Sequence, residues 1–166
     1  MLPAYLPNPV AALAGGGTPL DLGRNFSDGR RVFGDGKTFR GLIVGILSGI
    51  GIGLLQMWLS GLYGWESIPE HTLTSIILLS TGALLGDLCK SFFKRRFNKE
   101  RGSKWPIADQ YDLVAGAFIL VLLFDPAWFF ANVTLPAFII ILILTPVLHR
   151  AVNILGYHLR VKEVPW

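Results

Sequence analysis

The segment from residue 41 to residue 65 reads GLIVGILSGIGIGLLQMWLSGLYGW and contains no charged side chain. An α-helix of about 20 apolar residues crosses the hydrocarbon core of a bilayer, so this segment is long enough to span a membrane. Its glycines at positions 45, 49 and 53 recur every four residues and share one helix face, which permits close packing against another helix. The segment therefore predicts a membrane-spanning helix that a neighbouring helix approaches closely.

The composition of the whole chain agrees with this prediction. Of the 166 residues, 52% are hydrophobic and 16% are charged, and the mean hydropathy is +0.51. Soluble domains carry roughly 25% charged residues, so an integral membrane protein is expected. The length suits one domain over residues 1–166. The single cysteine, Cys89, excludes an intrachain disulfide, and no nucleic-acid partner is expected.

Three further spans are predicted downstream. Residues 68–97 form one long helix that turns polar at Asp87, residues 108–130 form the next span, and residues 132–155 form the last. Upstream, residues 2–14 are apolar but too short to span a bilayer, which indicates a short first helix. The predicted fold is an all-α integral membrane protein with about five transmembrane helices, the first of them short.

The positive charges are concentrated in alternate loops. Residues 18–40 contain five Lys and Arg, residues 90–104 contain seven and the tail 150–166 contains three, which accounts for all fifteen. The intervening loops near residues 66–70 and 131–132 contain none. Because cytoplasmic loops are enriched in Lys and Arg, we expect a multi-pass cell-membrane protein with an outside N-terminus. The two loops that contain these charged segments, about 17–40 and 90–107, are then both cytoplasmic, and we expect them to form the functional site.

Acidic and basic side chains alternate where the predicted helix over residues 68–97 leaves the membrane. Asp87, Lys90, Ser91 and Lys94 have spacings of three, four and seven, so they share one helix face. Asp109 and Asp112 are three residues apart and share a face if the next helix has begun. Charged groups at membrane depth face a polar interior rather than lipid. The two sets are therefore predicted to meet at the cytoplasmic mouth of the helix bundle.

This acid–base cluster suggests a divalent metal and a phosphate-rich ligand. Neighbouring carboxylates repel one another unless they hold a cation, and oxygen ligands favour Mg²⁺ or Mn²⁺. Lysine and arginine neutralise phosphate oxygens. The combination points to phosphoryl or nucleotidyl transfer at a membrane surface. Two simpler interpretations stay open: the cations after the span are topology signals, and Ser91 only bonds back to its own helix.

Two motifs resemble a known enzyme family. The pattern GDL-x-x-S-x-x-KR at residues 86–95, then Gly102, Pro106 and D-x-x-D at 109–112, resembles the C-terminal signature of the CDP-diacylglycerol synthases. The short spacing between Pro106 and Asp109 and the small chain fit the archaeal branch of that family, the CDP-archaeol synthases. The run GDGKTFRG at residues 34–41 is similar to the same branch.

The resemblance implies a Mg²⁺-dependent cytidylyltransferase. CTP and the polyprenyl lipid 2,3-bis-O-(geranylgeranyl)-sn-glycerol 1-phosphate would give CDP-archaeol and pyrophosphate. The implied catalytic residues are Asp87, Lys90, Ser91, Lys94, Arg95, Asp109 and Asp112, of which Asp87, Asp109 and Asp112 would hold the metal. The implied CTP-binding residues are Asn8, Gly17, Thr18, Asp21, Lys37, Thr38, Arg40 and Lys94.

Other function classes fit the sequence less well. A CDP-alcohol phosphotransferase requires D-x-x-D-G, but Leu113 follows Asp112. A small membrane transporter would place charges near the middle of the bilayer and show internal repeats, whereas these charges lie at one face. A non-catalytic scaffold leaves the acid–base clustering unexplained. The glycine-lined helix face also permits a homodimer.

Overall fold

The computed structural model describes residues 1–64, 70–99 and 103–160, and these ranges contain seven α-helices. In chain order they are α1 (Leu2–Tyr5), α2 (Pro7–Leu13), α3 (Phe39–Tyr63), α4 (Leu73–Arg96), α5 (Pro106–Phe124), α6 (Pro126–Asn132) and α7 (Leu135–His158). The four longest, α3, α4, α5 and α7, are long and apolar enough to cross a membrane. This arrangement confirms the predicted all-α fold with four full spans and a short N-terminal helical segment.

Side-chain caps explain where α3 and α4 begin. Thr38 precedes α3, and its Oγ1 accepts a hydrogen bond from the amide of Gly41 at 3.1 Å. Thr72 precedes α4 and forms a reciprocal capping box with Ser75. Such caps satisfy the backbone amides that a helix N-terminus leaves unpaired. The sequence predicted a helix from residue 68, but residues 65–69 lie outside the described ranges and α4 begins at Leu73.

The N-terminal segment is two short helices rather than one. Pro7 is the first residue of α2, a position where its missing amide hydrogen costs little. Both helices pack against the glycine face of α3, so that face is used within the chain. The homodimer stays a prediction.

Helices α4 and α5 form the centre of the molecule and touch backbone to backbone. A Cβ atom on Gly86 would overlap the carbonyl oxygen of Asp112, and one on Gly116 would overlap that of Gly82. Only glycine permits so close a crossing. Around it, the core contains Leu79, Ala83, Leu113, Val114, Ala117, Phe118 and Val121. The close crossing brings the polar ends of the two helices together.

The predicted span over residues 108–130 is wrong at its far end, because α5 ends at Phe124 and α6 begins at Pro126. The residue before a proline is disfavoured in the helical region, and Asp125 has an extended φ of −147°. Its Oδ1 accepts a hydrogen bond from the amide of Trp128 at 3.1 Å. Asp125 therefore caps α6 and has a structural role.

Helix α7 continues through Pro146. Proline has no amide hydrogen, so it cannot bond to the carbonyl four residues earlier, that of Leu142. The hydroxyl of Tyr111 on α5 donates to this carbonyl at 2.9 Å. A side chain of the neighbouring helix thus satisfies the carbonyl that the proline leaves free, as membrane helices require.

Candidate active site

Three aspartates and two lysines of α4 and α5 form one ion-pair cluster. Lys90 Nζ lies 3.1 Å from Asp87 Oδ1, 2.6 Å from Asp112 Oδ2 and 3.5 Å from Asp109 Oδ1. Lys94 Nζ lies 2.6 Å from Asp109 Oδ1. Asp87 and Asp112 are buried, and all five side chains are at most one-fifth exposed. The structure therefore brings together the acidic and basic sets that the sequence placed on two helices.

A third lysine enters the cluster from the loop between α2 and α3. Lys37 Nζ forms an ion pair with Asp87 Oδ2. The loop is fixed on both sides of Lys37, because the amide of Leu20 donates to the Lys37 carbonyl at 2.7 Å and Thr38 caps α3. Three positive and three negative charges then balance at the ends of α4 and α5.

Asp21 organises that loop. Its carboxylate accepts hydrogen bonds from Arg31 Nη2 at 2.6 Å and from the amides of Gly34 at 2.8 Å, Phe33 at 3.0 Å and Gly23 at 3.2 Å. Burial opposes ionisation, but these donors outweigh it and hold the pKa of Asp21 well below its usual range. Asp21 lines neither of the two cavities described below, so the structure gives it a role in loop shape.

A reciprocal clamp joins the same loop to the end of α4. Arg96 Nη2 donates to the carbonyl of Arg31 at 2.7 Å, and Arg30 Nη1 donates to that of Arg96 at 2.5 Å. The Arg96 guanidinium also lies 4.8 Å from the ring centres of Phe26 and Phe92. These contacts hold the loop over the cytoplasm-facing end predicted for α4.

A cleft of about 250 Å³ opens beside the cluster. Lys37, Asp87, Lys90, Lys94 and Asp109 line it together with Asn8 of α2. A smaller cavity of about 70 Å³ adjoins it, sharing Asn8, Lys37 and Asp87 and adding Thr38. The cleft is the place where a charged ligand can reach the lysines.

Several predicted site residues lie outside both cavities. Ser91 Oγ donates to the carbonyl of Asp87 at 2.8 Å, so it bonds back to its own helix. Arg95 donates to the carbonyl of Lys99 at 2.9 Å, and Arg40 donates to that of Ala14 at 2.7 Å. Gly17 and Thr18 are exposed residues of the loop. None of these five residues joins the lysine–aspartate cluster within the described ranges.

The cleft also contains polar residues that were not predicted from the sequence. Among them are Tyr5 of α1 and Thr145, His149 and Asn153 of α7. Tyr5 Oη lies 2.7 Å from Thr145 Oγ1. The available signal was the spacing of the three α7 residues, since polar side chains every four positions in an apolar helix share one face.

The carboxylates supply the donor type that Mg²⁺ prefers. Asp112 Oδ2 is buried and, although close to Lys90, has no hydrogen-bond donor of good geometry among the described residues. The described residues contain no preformed group of three His, Cys, Asp or Glu ligands, because ammonium groups lie between the aspartates. The donor set fits Mg²⁺ if Lys90 moves toward the cleft, and the metal stays a prediction.

Comparisons with known proteins agree on one family. A family model described as CarS-like, CDP-archaeol synthase, matches residues 1–166. The chain is 65% identical to the CDP-archaeol synthase of Methanoregula boonei and 59% identical to that of Methanoculleus marisnigri, each over 166 residues and the full length of both chains.

A solved structure agrees as well. It is described as an intramembrane enzyme for archaeal membrane lipids biosynthesis, and it matches with a TM-score of 0.66 and 31% identity. The match covers 98% of this chain and 90% of the other. Together with the four apolar helices, it makes this chain a multi-pass membrane protein. The chain belongs to the CDP-archaeol synthase family.

Proposed function

We propose that this chain is a CTP-dependent cytidylyltransferase acting on 2,3-bis-O-(geranylgeranyl)-sn-glycerol 1-phosphate. The products are CDP-archaeol and pyrophosphate. The observation that supports this most is the cluster of three lysines and three aspartates, five of which line one cleft at the ends of α4 and α5. Such a site accepts a triphosphate while the membrane supplies the lipid.

The reaction needs no general base. A phosphate monoester has a second pKa of about 6, so the lipid phosphate is largely dianionic at neutral pH. One of its oxygens attacks the α-phosphorus of CTP and forms the new P–O bond. The bond from that phosphorus to the bridging oxygen of the β-phosphate breaks, and pyrophosphate leaves with the electron pair. Catalysis then depends on positioning and on neutralising charge.

The three lysines perform that neutralisation. Lys37, Lys90 and Lys94 each contact a carboxylate and also line the cleft. The ammonium groups of Lys37 and Lys94 are therefore already oriented before the triphosphate arrives, which reduces the reorganisation that binding requires. We assign all three lysines to the phosphates of CTP and to the leaving pyrophosphate.

The aspartates hold the metal in this proposal. Asp109 and Asp112, with Asp87, would provide the carboxylate oxygens, which become available if Lys90 moves toward the triphosphate. When bound, Mg²⁺ neutralises charge on the phosphate oxygens and on the leaving group. Lys94 and Lys37 keep the carboxylates of α5 and α4 in place during this exchange.

Nucleotide recognition falls to the two connected cavities. We assign Asn8 and Thr38 to CTP, because Asn8 lines both cavities and Thr38 lines the smaller one. An asparagine amide offers the donor and the acceptor that a cytosine edge requires. We assign Gly17, Thr18, Asp21 and Arg40 to the shape of the loop that presents Lys37, and Ser91 and Arg95 to the end of α4.

One substitution tests the function and the site together. Asp109→Asn keeps the shape of the side chain but removes the charge, and we expect Mg²⁺-dependent release of pyrophosphate from CTP and lipid phosphate to fall at least ~100-fold. Asp125→Asn is the matched control, because Asp125 caps α6 and asparagine is an equally good cap. Undiminished turnover by correctly folded Asp109→Asn protein would refute the metal-ligand role.

A further inference from the structure

Helix α7 carries a polar stripe that the proposed nucleotide site does not use. Thr145, His149 and Asn153 follow one another at four-residue intervals and line the cleft. Thr145 and Asn153 are almost fully buried, at 1% and 3% exposure. Polar side chains inside a membrane helix are costly and mark functional positions. The stripe is therefore placed for a ligand in the cleft.

Two of these side chains act as a pair. Asn153 Nδ2 lies 3.2 Å from His149 Nδ1, and Thr145 Oγ1 donates to the carbonyl of Ile141 at 2.5 Å while it contacts Tyr5. Thr145 thus joins α7 to α1. His149 and Asn153 lie one and two turns nearer the C-terminus of α7 and line the cleft with side chains that contain N–H donors.

The chemistry of the reaction requires two phosphate sites in one cleft. In phosphoryl transfer the entering and leaving oxygens lie roughly in line on either side of the phosphorus. The lysines of α4 and of the α2–α3 loop line the cleft together with side chains of α7. If the lysines hold the leaving pyrophosphate, other residues of the cleft have to hold the entering phosphate.

The donors on α7 suit the entering phosphate. An imidazole N–H and a side-chain amide bond to phosphate oxygens without a fixed positive charge, so they orient the dianion without neutralising it before it attacks. Helix α7 also has the least buried apolar stretch of the four long helices and the highest mean hydropathy, 2.1. A lipid in the membrane can therefore lie along α7 with its phosphate at the cleft.

We infer that His149 and Asn153 form the binding site for the phosphate of the lipid substrate. This inference depends on the proposed cytidylyltransferase function, whose nucleotide half lies on the lysine side of the same cleft. It assigns the entering phosphate to α7 and the leaving pyrophosphate to Lys37, Lys90 and Lys94.

Steady-state kinetics of His149→Ala separate the two substrates. We expect the KM for 2,3-bis-O-(geranylgeranyl)-sn-glycerol 1-phosphate in mixed micelles to rise about 10- to 100-fold, the usual effect of losing a hydrogen bond to a charged group. The KM for CTP should change less than about twofold. His158→Ala is the matched control, because His158 is an exposed histidine of the same helix outside the cleft and should leave both constants unchanged.

A second test introduces a negative charge at Asn153. Asn153→Asp keeps the size of the side chain but repels a phosphate, so it should raise the KM for the lipid more than Asn153→Ala does. Thermal unfolding shows whether each variant folds. If the variants of the buried Asn153 do not fold, the kinetics of His149→Ala alone test the lipid phosphate site. Neither substitution should weaken equilibrium binding of CTP in the absence of lipid.

The possible outcomes are distinct. A rise in the KM for CTP, or weaker CTP binding, with an unchanged KM for the lipid would overturn the inference and assign α7 to the nucleotide. Unchanged constants in His149→Ala would also overturn it. Failure of the proposed function is a different result, since the unmodified protein would then release no pyrophosphate from CTP and lipid phosphate.

Discussion

Lys90 is the residue on which the charge balance of the site depends. Its ammonium group lies within 3.5 Å of the carboxylates of Asp87, Asp109 and Asp112. Removing one partner of a buried ion pair leaves an uncompensated charge and costs about 3–5 kcal/mol. Lys90 is therefore expected to contribute both to the stability of the α4–α5 pair and to the proposed reaction.

Lys90→Met tests this link with a readout besides activity. We expect turnover to fall at least ~100-fold and the unfolding temperature to fall, because three carboxylates lose their shared cation. Mg²⁺ should raise the unfolding temperature of the variant more than that of the unmodified protein, since the metal takes the place of the ammonium group.

The control for this change is Lys99→Met, outside both cavities. It should leave turnover and the response to Mg²⁺ unchanged. An unfolding temperature of Lys90→Met that does not respond to Mg²⁺ would contradict the assignment of the aspartates as metal ligands.

Asp21 gives a pH prediction. Its pKa in the folded protein is lower than in the unfolded chain, so its ionised form stabilises the fold. That contribution is fully present above the unfolded pKa of about 3.9 and is lost as pH falls through the folded pKa. The difference in unfolding free energy between the unmodified protein and Asp21→Asn should be constant from pH 7 to about 5 and then shrink. A difference that grows below pH 4 would be inconsistent with this account.

Residue types alone predicted part of the site. Helical spacing was sufficient to bring Asp87, Lys90 and Lys94 to one face and Asp109 and Asp112 to another. It could not reveal that Asp21 bonds to its own loop, because that depends on how the loop backbone folds its amides toward the carboxylate. The hydrogen-bond partners of a side chain within its own loop depend on the conformation of that loop, and residue types alone do not predict that conformation.

At the scale of elements, α5 and α7 depend on each other through one hydrogen bond. Tyr111 of α5 satisfies the Leu142 carbonyl that Pro146 leaves free. A buried acceptor without a donor costs about 1–3 kcal/mol. The proline and the tyrosine therefore form a matched pair on neighbouring helices.

A double-mutant cycle measures this coupling. Tyr111→Phe should lower the free energy of unfolding by about 1–3 kcal/mol, whereas Tyr111→Phe in a Pro146→Ala background should cost much less, because the alanine amide then bonds to Leu142. Tyr157→Phe serves as the control, since Tyr157 is an exposed residue of α7. Equal costs in both backgrounds would show that the Tyr111 hydroxyl does not serve this carbonyl.

Hydrophobic runs predicted the long helices well and their ends less well. Segment 41–65 corresponds to α3 because an uncharged run of that length has one stable form in a membrane. The break between α5 and α6 was missed because Asp125 and Pro126 lie inside an apolar run that continues to Phe130. The division of the N-terminal segment was missed in the same way, because Pro7 begins α2 inside an apolar run.

On the scale of the whole molecule, the site is assembled from segments far apart in the chain. Lys37 comes from a loop, Asp87 and Asp109 come from the crossing helices, and His149 comes from the last span. The glycine contacts of Gly86 and Gly116 set the distance between the central helices. No single motif contains the cleft, which is why the α7 wall escaped the sequence analysis.

The charge distribution predicts which side of the membrane the site faces. In a Cys89→Ala background, Ser27→Cys in the loop should react with a membrane-impermeant maleimide only from the cytoplasmic side. Ala131→Cys, near the end of α6, should react only from the outside. Both positions are exposed. Labelling of both cysteines from the same side would contradict the predicted topology.

The central claim is that the chain transfers the cytidylyl group of CTP to a lipid phosphate. The most direct measurement supplies purified protein with Mg²⁺, 2,3-bis-O-(geranylgeranyl)-sn-glycerol 1-phosphate and CTP carrying ³²P at either the α- or the γ-phosphate. We predict that the α-label appears in the lipid product and the γ-label in pyrophosphate, in equal amounts. Label from the γ-phosphate in the lipid, or no transfer from the α-phosphate, would contradict the account.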